Sequence, residues 1–190
     1  MPTEPGPYLG AYYILIEDLR RLGEFVELTD ANLGTYGHRP YEILLRTCTE
    51  FESLCKDALI AAGTSKDPKT MNINDYKGLD PTLALESLEV GIMIWQPEPV
   101  YVRPFSGWTK QQPPLPWYAA YNAVKHNRNT EFRQANLNNL RHAVCGLFAL
   151  LTSLKIIDHS KLLGVSERTA KDGISRELVF TGHIFTLIKR

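Results

Sequence analysis

Residues 116–158, PWYAAYNAVKHNRNTEFRQANLNNLRHAVCGLFALLTSLKIID, hold the longest helical pattern in the chain and decide its fold. Pro116 suits the first position of a helix, because a backbone N–H there would have no partner within the helix. The pattern predicts either two helices or one kinked helix, with a first part over 117–127 and a second part over 130–158 that Thr130 can cap. Apolar residues form an almost continuous face along the second part, so we expect it to be the core helix of a bundle.

Two further long helices are predicted in the N-terminal part of the chain. Apolar residues recur at intervals of three and four over 8–28 and over 40–62, which is the spacing of an amphipathic helix. The stretch 64–80 is polar and predicts a loop. Asp80 followed by Pro81 predicts the start of a short helix, with the aspartate as cap and the proline just inside.

A small β appendage is predicted beside the helices. β-branched residues predict two short strands within 88–103, and the tail at 178–188 can add a third strand to give an antiparallel sheet. The four prolines of 104–116 make that segment an irregular connection, which the nearby tryptophans are expected to pack down rather than stack on bases. We therefore predict a single, mainly α domain over 1–190, an up-and-down helical bundle with a small antiparallel β appendage.

Composition limits the class of protein. The 190 residues are 44% hydrophobic and 22% charged, which suits a globular domain, and 21 Lys and Arg balance 21 Asp and Glu, so no net charge favours nucleic acid or membrane. The three cysteines lack Cys-x-x-Cys spacing and predict reduced thiols. No signal sequence is recognisable, and no stretch approaches the ~20 apolar residues of a membrane span. We expect a cytoplasmic protein without a membrane partner.

A polar and aromatic cluster at the start of the central stretch is the candidate site. Its members fall within two or three helical turns and are Tyr118, Tyr121, Asn122, Lys125, His126 and Arg128. Residues three and four apart share a helix face, so these amide, ammonium, imidazole and guanidinium groups form a surface suited to an anion or a phosphate. The alternative is structural: Asn122 and His126 satisfy backbone groups where the proline-rich connection meets the bundle. The five histidines are otherwise scattered, and the sequence predicts neither a metal site nor a cofactor.

The run YNAVKHNR at 121–128, followed by F-x-x-A-x-L and a long apolar helix, resembles the HEPN superfamily of small helical bundles. The motif of that superfamily is Arg, often followed by Asn, then a few residues and His. Asn122 and His126 match its second and last positions, and Tyr121 stands where the Arg belongs. The resemblance implies a homodimer that acts as a metal-independent ribonuclease, as in toxin and phage-defence systems, or as a non-catalytic module that binds RNA or nucleotide.

The resemblance also assigns roles to the cluster. In an active enzyme the RNA 2′-hydroxyl would attack the adjacent phosphate, with His126 as general acid or base and Asn122 orienting the phosphate or the histidine. Lys125 and Arg128 would hold negative charge, and the two tyrosines would complete the phosphate-binding face. Because the phenol of Tyr121 cannot supply a permanent cation, the sequence favours binding over catalysis and leaves ribonuclease activity open.

Two alternatives come from other classes of protein. Residues 161–178, KLLGVSERTAKDGISREL, resemble the second half of a helix-turn-helix, with Ser166 as cap and Arg168 and Lys171 facing DNA. Gly173 stands where that helix should carry an apolar packing residue, and no basic surplus supplies affinity for DNA. The third hypothesis is a bundle that acts through protein association alone.

Overall fold

The computed structural model describes residues 5–110, 115–157 and 184–189, and over these ranges the protein is mainly helical with one small antiparallel sheet. This confirms the mainly α class and the small β appendage. The α-helices are Pro5–Gly23 (α1), His38–Ala61 (α2), Ile73–Tyr76 (α3), Asp80–Leu83 (α4), Pro116–His126 (α5), Arg128–Glu131 (α6) and Leu137–Ser153 (α7). The strands are Leu88–Ile92 (β1), Val100–Val102 (β2) and Phe185–Lys189 (β3).

Helix α7 is the centre of the core. It packs against α2 and α5, and α1 covers the outer side of α2. From Ala143 to Leu151 every residue of α7 is buried, which is the pattern of a helix surrounded by other elements rather than one lying on a surface. The predicted core helix of the bundle is therefore present, although it is shorter than expected.

An aromatic cluster joins α2 to the beginning of α5. The Phe51 ring centroid lies 5.2 Å from that of Trp117 and 6.0 Å from that of Phe105, and all three side chains are buried. The indole N–H of Trp117 donates a hydrogen bond of 2.8 Å to the carbonyl oxygen of Pro104. Trp108 stacks on Phe105 with centroids 5.0 Å apart. Trp108 and Trp117 thus hold the described part of the proline-rich connection against the helices, as the sequence predicts, whereas the indole N–H of Trp95 donates to Asp30 instead.

The sheet has the order β2-β1-β3, with β1 antiparallel to both neighbours. Gly91 in β1 pairs with Tyr101 on one side and with Thr186 on the other. A Cβ at Gly91 would lie 2.6 Å from Thr186 Cγ2 and 2.7 Å from Tyr101 Cε1, so a larger residue would force these side chains to shift. The predicted pairing of the tail with the hairpin is confirmed for Phe185–Lys189; residues 178–183 lie outside the described residues.

The predicted bounds of the second central helix are wrong at both ends. The helix begins at Leu137 rather than at Thr130, because the side chain of Asn136 accepts the backbone N–H of Asn139 at 3.0 Å and caps it. Thr130 belongs instead to the one-turn helix α6. The helix ends at Ser153 rather than at 158, since Lys155 takes up the left-handed backbone conformation, with φ of 58°, that stops an α-helix.

Smaller differences concern the other helices. Helix α1 ends at Gly23, five residues before the predicted end of 8–28, and α2 begins at His38, two residues before Pro40. The stretch 64–80 contains the short helix α3 in addition to single 3₁₀ turns. The helix-turn-helix hypothesis for 161–178 falls outside the described residues and stays a prediction. None of the helices in the described part of the chain is both long and apolar enough to cross a membrane.

We expect the Phe51→Ala substitution to lower the free energy of unfolding by about 3–5 kcal/mol, because it removes a fully buried ring from the cluster that joins α2 to α5. The matched control is Phe25→Ala, since the Phe25 side chain is 85% exposed and its loss should change the free energy by at most about 0.5 kcal/mol. Urea denaturation followed by circular dichroism measures both. Equal effects of the two substitutions would contradict the packing described above.

Candidate functional site

Helix α5 carries five of the six candidate residues, and their side chains lie on two different faces of the helix. Tyr118 and Tyr121 are buried, and Lys125, which shares their side of the helix, reaches along it. Asn122 is half-buried and His126 is exposed, one turn further on and on the neighbouring face. Arg128 follows in α6 and is also exposed. The structure therefore divides the candidate site into an inward group and an outward group.

The inward group is organised by Glu52 of α2. The hydroxyl of Tyr118 donates to Glu52 Oε1 at 2.5 Å, and Glu52 Oε2 lies 3.9 Å from Lys125 Nζ. Lys125 Nζ also donates to the hydroxyl of Tyr121 at 2.9 Å and lies 4.8 Å from the centroid of the same ring. We call Glu52, Tyr118, Tyr121 and Lys125 the Glu52 network. It ties α5 to α2 with polar contacts beside the aromatic cluster.

Sequence reasoning missed Glu52, although a signal was present. Glu52 lies four residues after Cys48 and three before Cys55, so an acidic residue shares a helix side with the apolar seam of α2. A carboxylate in such a position needs a partner, since burying an unpaired charge is costly. The partners come from a helix that is distant in sequence, and only the fold brings them together.

The surroundings of the Glu52 network shift the protonation of its members. Burial raises the pKa of Tyr118, and the hydrogen bond to Glu52 raises it further. Burial also raises the pKa of Tyr121, so both phenols stay protonated at neutral pH. The hydrogen bond to Tyr121 raises the pKa of Lys125 against the opposing effect of burial, and the charge of Glu52 adds to the rise. Lys125 is therefore a cation that already has partners.

The outward group is centred on Arg128. One of its terminal nitrogens lies 3.3 Å from His38 Nδ1, and since a guanidinium can only donate, His38 Nδ1 accepts this hydrogen bond. The guanidinium carbon lies 5.1 Å from the ring centroid of Tyr41 and 5.5 Å from that of Phe132. The imidazole of His38 and the ring of Tyr41 from α2, together with the ring of Phe132 after α6, thus hold one exposed cation in place.

A second arginine lies over a third ring beside Arg128. The guanidinium carbon of Arg133 is 6.0 Å from the ring centroid of Tyr36, and the Tyr36 side chain is 44% exposed. The Tyr36 ring contacts Phe132 edge-on at 5.8 Å. We call the surface made by these residues the arginine surface; it consists of Tyr36, His38, Tyr41, Arg128, Phe132 and Arg133.

Backbone contacts fix the two segments that form the arginine surface. Tyr36 forms an antiparallel β-bridge with Asn136, and the N–H of Leu137 donates to the carbonyl oxygen of Thr35 at 2.9 Å. These contacts hold the segment before α2 against the start of α7. Sequence reasoning identified Arg128 but not its partners in α2, because His38 and Arg128 are ninety positions apart.

His126 and Asn122 belong to the outward group but to neither the arginine surface nor the Glu52 network. Neither side chain has a hydrogen bond or an ion pair within the part of the chain that the structure describes. His126 occupies the last position of α5, two residues before Arg128. The imidazole is exposed, so it is accessible to a ligand.

The cysteines take no part in either group. Cys48, Cys55 and Cys145 are free and fully buried, and burial raises the pKa of each thiol, which makes them unreactive. Across residues 5–110, 115–157 and 184–189, no three histidines, cysteines or acidic residues are placed to hold a metal ion.

No protein-family model, curated protein or solved structure matches this chain. Its function therefore has to be argued from the geometry of the site.

We expect Tyr118→Phe to lower the free energy of unfolding by about 1.5–3 kcal/mol, because it removes a hydrogen bond to the partly buried carboxylate of Glu52. Tyr13→Phe is the matched control, since Tyr13 is 42% exposed and has no side-chain hydrogen bond among the described residues. The measurement is urea denaturation at pH 7. Two variants of equal stability would show that the bond contributes nothing.

The same bond predicts a dependence of stability on alkaline pH. The phenol of Tyr118 ionises near pH 10 in an unfolded chain, whereas its pKa is raised in the folded protein. Its contribution is therefore complete below pH 10 and is lost as the pH rises, with a slope of at most about 1.4 kcal/mol per pH unit for one proton. Denaturation at several values between pH 9 and 11 should show a shallower fall for Tyr118→Phe than for the wild type. Parallel curves would contradict this assignment.

Proposed function

We propose that the chain is a module that binds single-stranded RNA or a nucleotide on the arginine surface, beside His126. The observation that carries the proposal is the exposed guanidinium of Arg128, held over the rings of Tyr41 and Phe132 and hydrogen-bonded to His38. An arginine ordered in this way loses little conformational entropy when it binds a phosphate.

The chemistry of the arginine surface supports a nucleic acid as the ligand. A guanidinium has five N–H donors, and Arg128 uses one bond toward His38 within the described residues, which leaves donors for phosphate oxygens. The exposed ring of Tyr36 with Arg133 over it offers a face on which a base can stack. Aromatic rings interleaved with arginines suit unpaired bases, whereas the zero net charge of the chain gives little affinity for a long duplex.

The Glu52 network gives three of the sequence-predicted site residues a positioning role in this proposal. Tyr118, Tyr121 and Lys125 fix α5 on α2 and so place His126 at the end of α5 and Arg128 just beyond it. Tyr121 stands at the Arg position of the HEPN motif and cannot supply a cation. Arg128 lies seven residues further on, is exposed, and has no carboxylate partner among the described residues. We assign the phosphate contact to Arg128 and a neighbouring contact to Asn122 or His126.

We favour binding over catalysis. A general acid or base works best when a neighbouring group orients it, and His126 has no such partner within the described ranges. If RNA is cleaved, His126 is the residue that can move a proton, and Arg128 is the group that can stabilise charge on the phosphate. The proposed relationship to HEPN proteins also predicts a homodimer, which sedimentation at increasing protein concentration would detect.

The test is binding of a fluorescein-labelled single-stranded RNA of mixed sequence, measured by fluorescence anisotropy. Arg128→Met should weaken binding and lower the slope of log K against log salt concentration by about 0.7, the value for one phosphate contact on a single strand. Tyr36→Ala should cost about 1–3 kcal/mol of binding free energy if a base stacks there. Arg20→Met is the matched control, because Arg20 is exposed on α1 and has no hydrogen bond or ion pair among the described residues.

The outcomes separate the hypotheses. Cleavage of the RNA in EDTA that His126→Ala abolishes would establish a ribonuclease. Binding of a mononucleotide in preference to RNA would narrow the ligand to a nucleotide. Affinity that is unchanged in both Arg128→Met and Tyr36→Ala, or no binding by the wild type, would overturn the assignment of the arginine surface.

A further inference from the structure

A cavity of about 220 Å³ lies between the segment after β2, the start of α5 and the first turns of α7. Its walls combine polar groups with prolines and an indole; they are Arg103, Pro104, Ser106, Pro116, Trp117, Asn138, Asn139 and His142. None of these residues belongs to the arginine surface or to the Glu52 network. The cavity is smaller than the roughly 300–1,000 Å³ typical of ligand pockets, so it suits a small metabolite.

Arg103 supplies a positive charge at this cavity. Its side chain is exposed, and no carboxylate within the described part of the chain lies within ion-pair distance of its guanidinium. The hydroxyl of Ser106 lies three residues further along, and the backbone N–H of Ser106 is bound to the carbonyl oxygen of Arg103 at 3.2 Å, which makes a tight turn. An arginine without a carboxylate partner at the edge of a cavity can recognise an oxyanion, because its guanidinium presents several N–H donors.

His142 supplies a hydrogen-bond acceptor. Its Nδ1 lies 2.9 Å from the carbonyl oxygen of Asn138, and because a carbonyl can only accept, Nδ1 carries the hydrogen. The ring is mostly buried, and burial lowers its pKa, which favours the neutral form. In that neutral tautomer Nε2 has a lone pair, and Nε2 has no partner among the described residues.

The third polar wall comes from Asn139, which is 8% exposed. Its amide nitrogen donates to the carbonyl oxygen of Gln134 at 2.8 Å, so the orientation of the amide is fixed by the backbone. The opposite wall is rigid as well, because the indole of Trp117 is hydrogen-bonded to Pro104 and lies against Gly146 of α7. Asn139, His142 and Trp117 are therefore held in place by hydrogen bonds before a ligand arrives, whereas the Arg103 side chain is exposed.

We propose that this cavity binds a small metabolite that carries an oxyanion and a hydroxyl group, with Arg103 pairing with the oxyanion and His142 Nε2 accepting the hydroxyl hydrogen. The oxyanion is a phosphate or a carboxylate, and both present oxygen acceptors that match a guanidinium. The hydroxyl distinguishes the ligand from a simple ion, because the neutral imidazole can accept a hydrogen bond from a hydroxyl and does not attract a second anion.

The experiment is isothermal titration of the full chain with three probes. These are ribose 5-phosphate, which has a phosphate and hydroxyls, malate, which has carboxylates and a hydroxyl, and ribose, which lacks the anion. We expect one of the two anionic probes to bind and ribose to bind much more weakly. The anionic probe that binds identifies the oxyanion as phosphate or carboxylate.

Substitutions then assign the binding to this cavity. Arg103→Met should weaken binding of the anionic probe by about tenfold or more, and His142→Phe by about two- to tenfold. Arg20→Met should leave the affinity unchanged. Circular dichroism of each free variant confirms folding, and Arg103→Met, at an exposed position, keeps the test valid if His142→Phe does not fold.

Three results would overturn the proposal. The first is no binding of either anionic probe at millimolar concentration. The second is an affinity for ribose equal to that for the anionic probe. The third is an affinity that Arg103→Met leaves unchanged, which would place the probe elsewhere on the molecule. All three are independent of RNA binding, because Arg128→Met and Tyr36→Ala do not alter this cavity.

Discussion

The edge-to-face contact between the Phe51 and Trp117 rings is the interaction on which the candidate site depends. It fixes the start of α5 against the middle of α2, at a point where the proline-rich connection is also held by the Trp117 indole. Glu52 is the residue next to Phe51, so the same contact places its carboxylate against Tyr118 and Lys125. The end of α5 then lies near the beginning of α2, where Arg128 meets His38 and Tyr41. Apolar packing stabilises the contact between α5 and α2, and the polar contacts orient the side chains of the candidate site.

This arrangement separates the residues that build the site from those that can meet a ligand. Lys125 carries a charge, but its ammonium donates to the phenol of Tyr121 and lies 3.9 Å from the carboxylate of Glu52, which offsets that charge. Arg128 carries the same charge and is surrounded by rings, which hold a cation without neutralising it. The two residues are three positions apart in the sequence, yet the structure gives them opposite roles. A carboxylate partner offsets the charge of a cation and so weakens its attraction for a phosphate, whereas an aromatic partner leaves that attraction in place.

The helical class and the small sheet were predictable because apolar periodicity is a local property of the sequence. The roles of individual side chains were not, since they depend on partners that are distant along the chain, such as Glu52 for Tyr118 and His38 for Arg128. The start of α7 illustrates a local failure. Thr130 followed by Glu131 has the composition of a helix start, but Asn136 is the residue whose side chain caps the helix. The segment before α2 pairs with residues 136–138, and this tertiary contact overrides the local preference.

The pairing of β1 with β3 also sets an order of events in folding. It joins positions about a hundred residues apart, and the entropy lost in closing so long a loop must be offset by contacts made on arrival. The hairpin of β1 and β2 joins positions that are only roughly ten residues apart, so it closes a far shorter loop and can form first. The third strand then enters a groove that Gly91 keeps open, and Phe185 settles on Phe148 of the central helix. Within the sheet the third strand is therefore the last to pair, because its partner lies so far away along the chain.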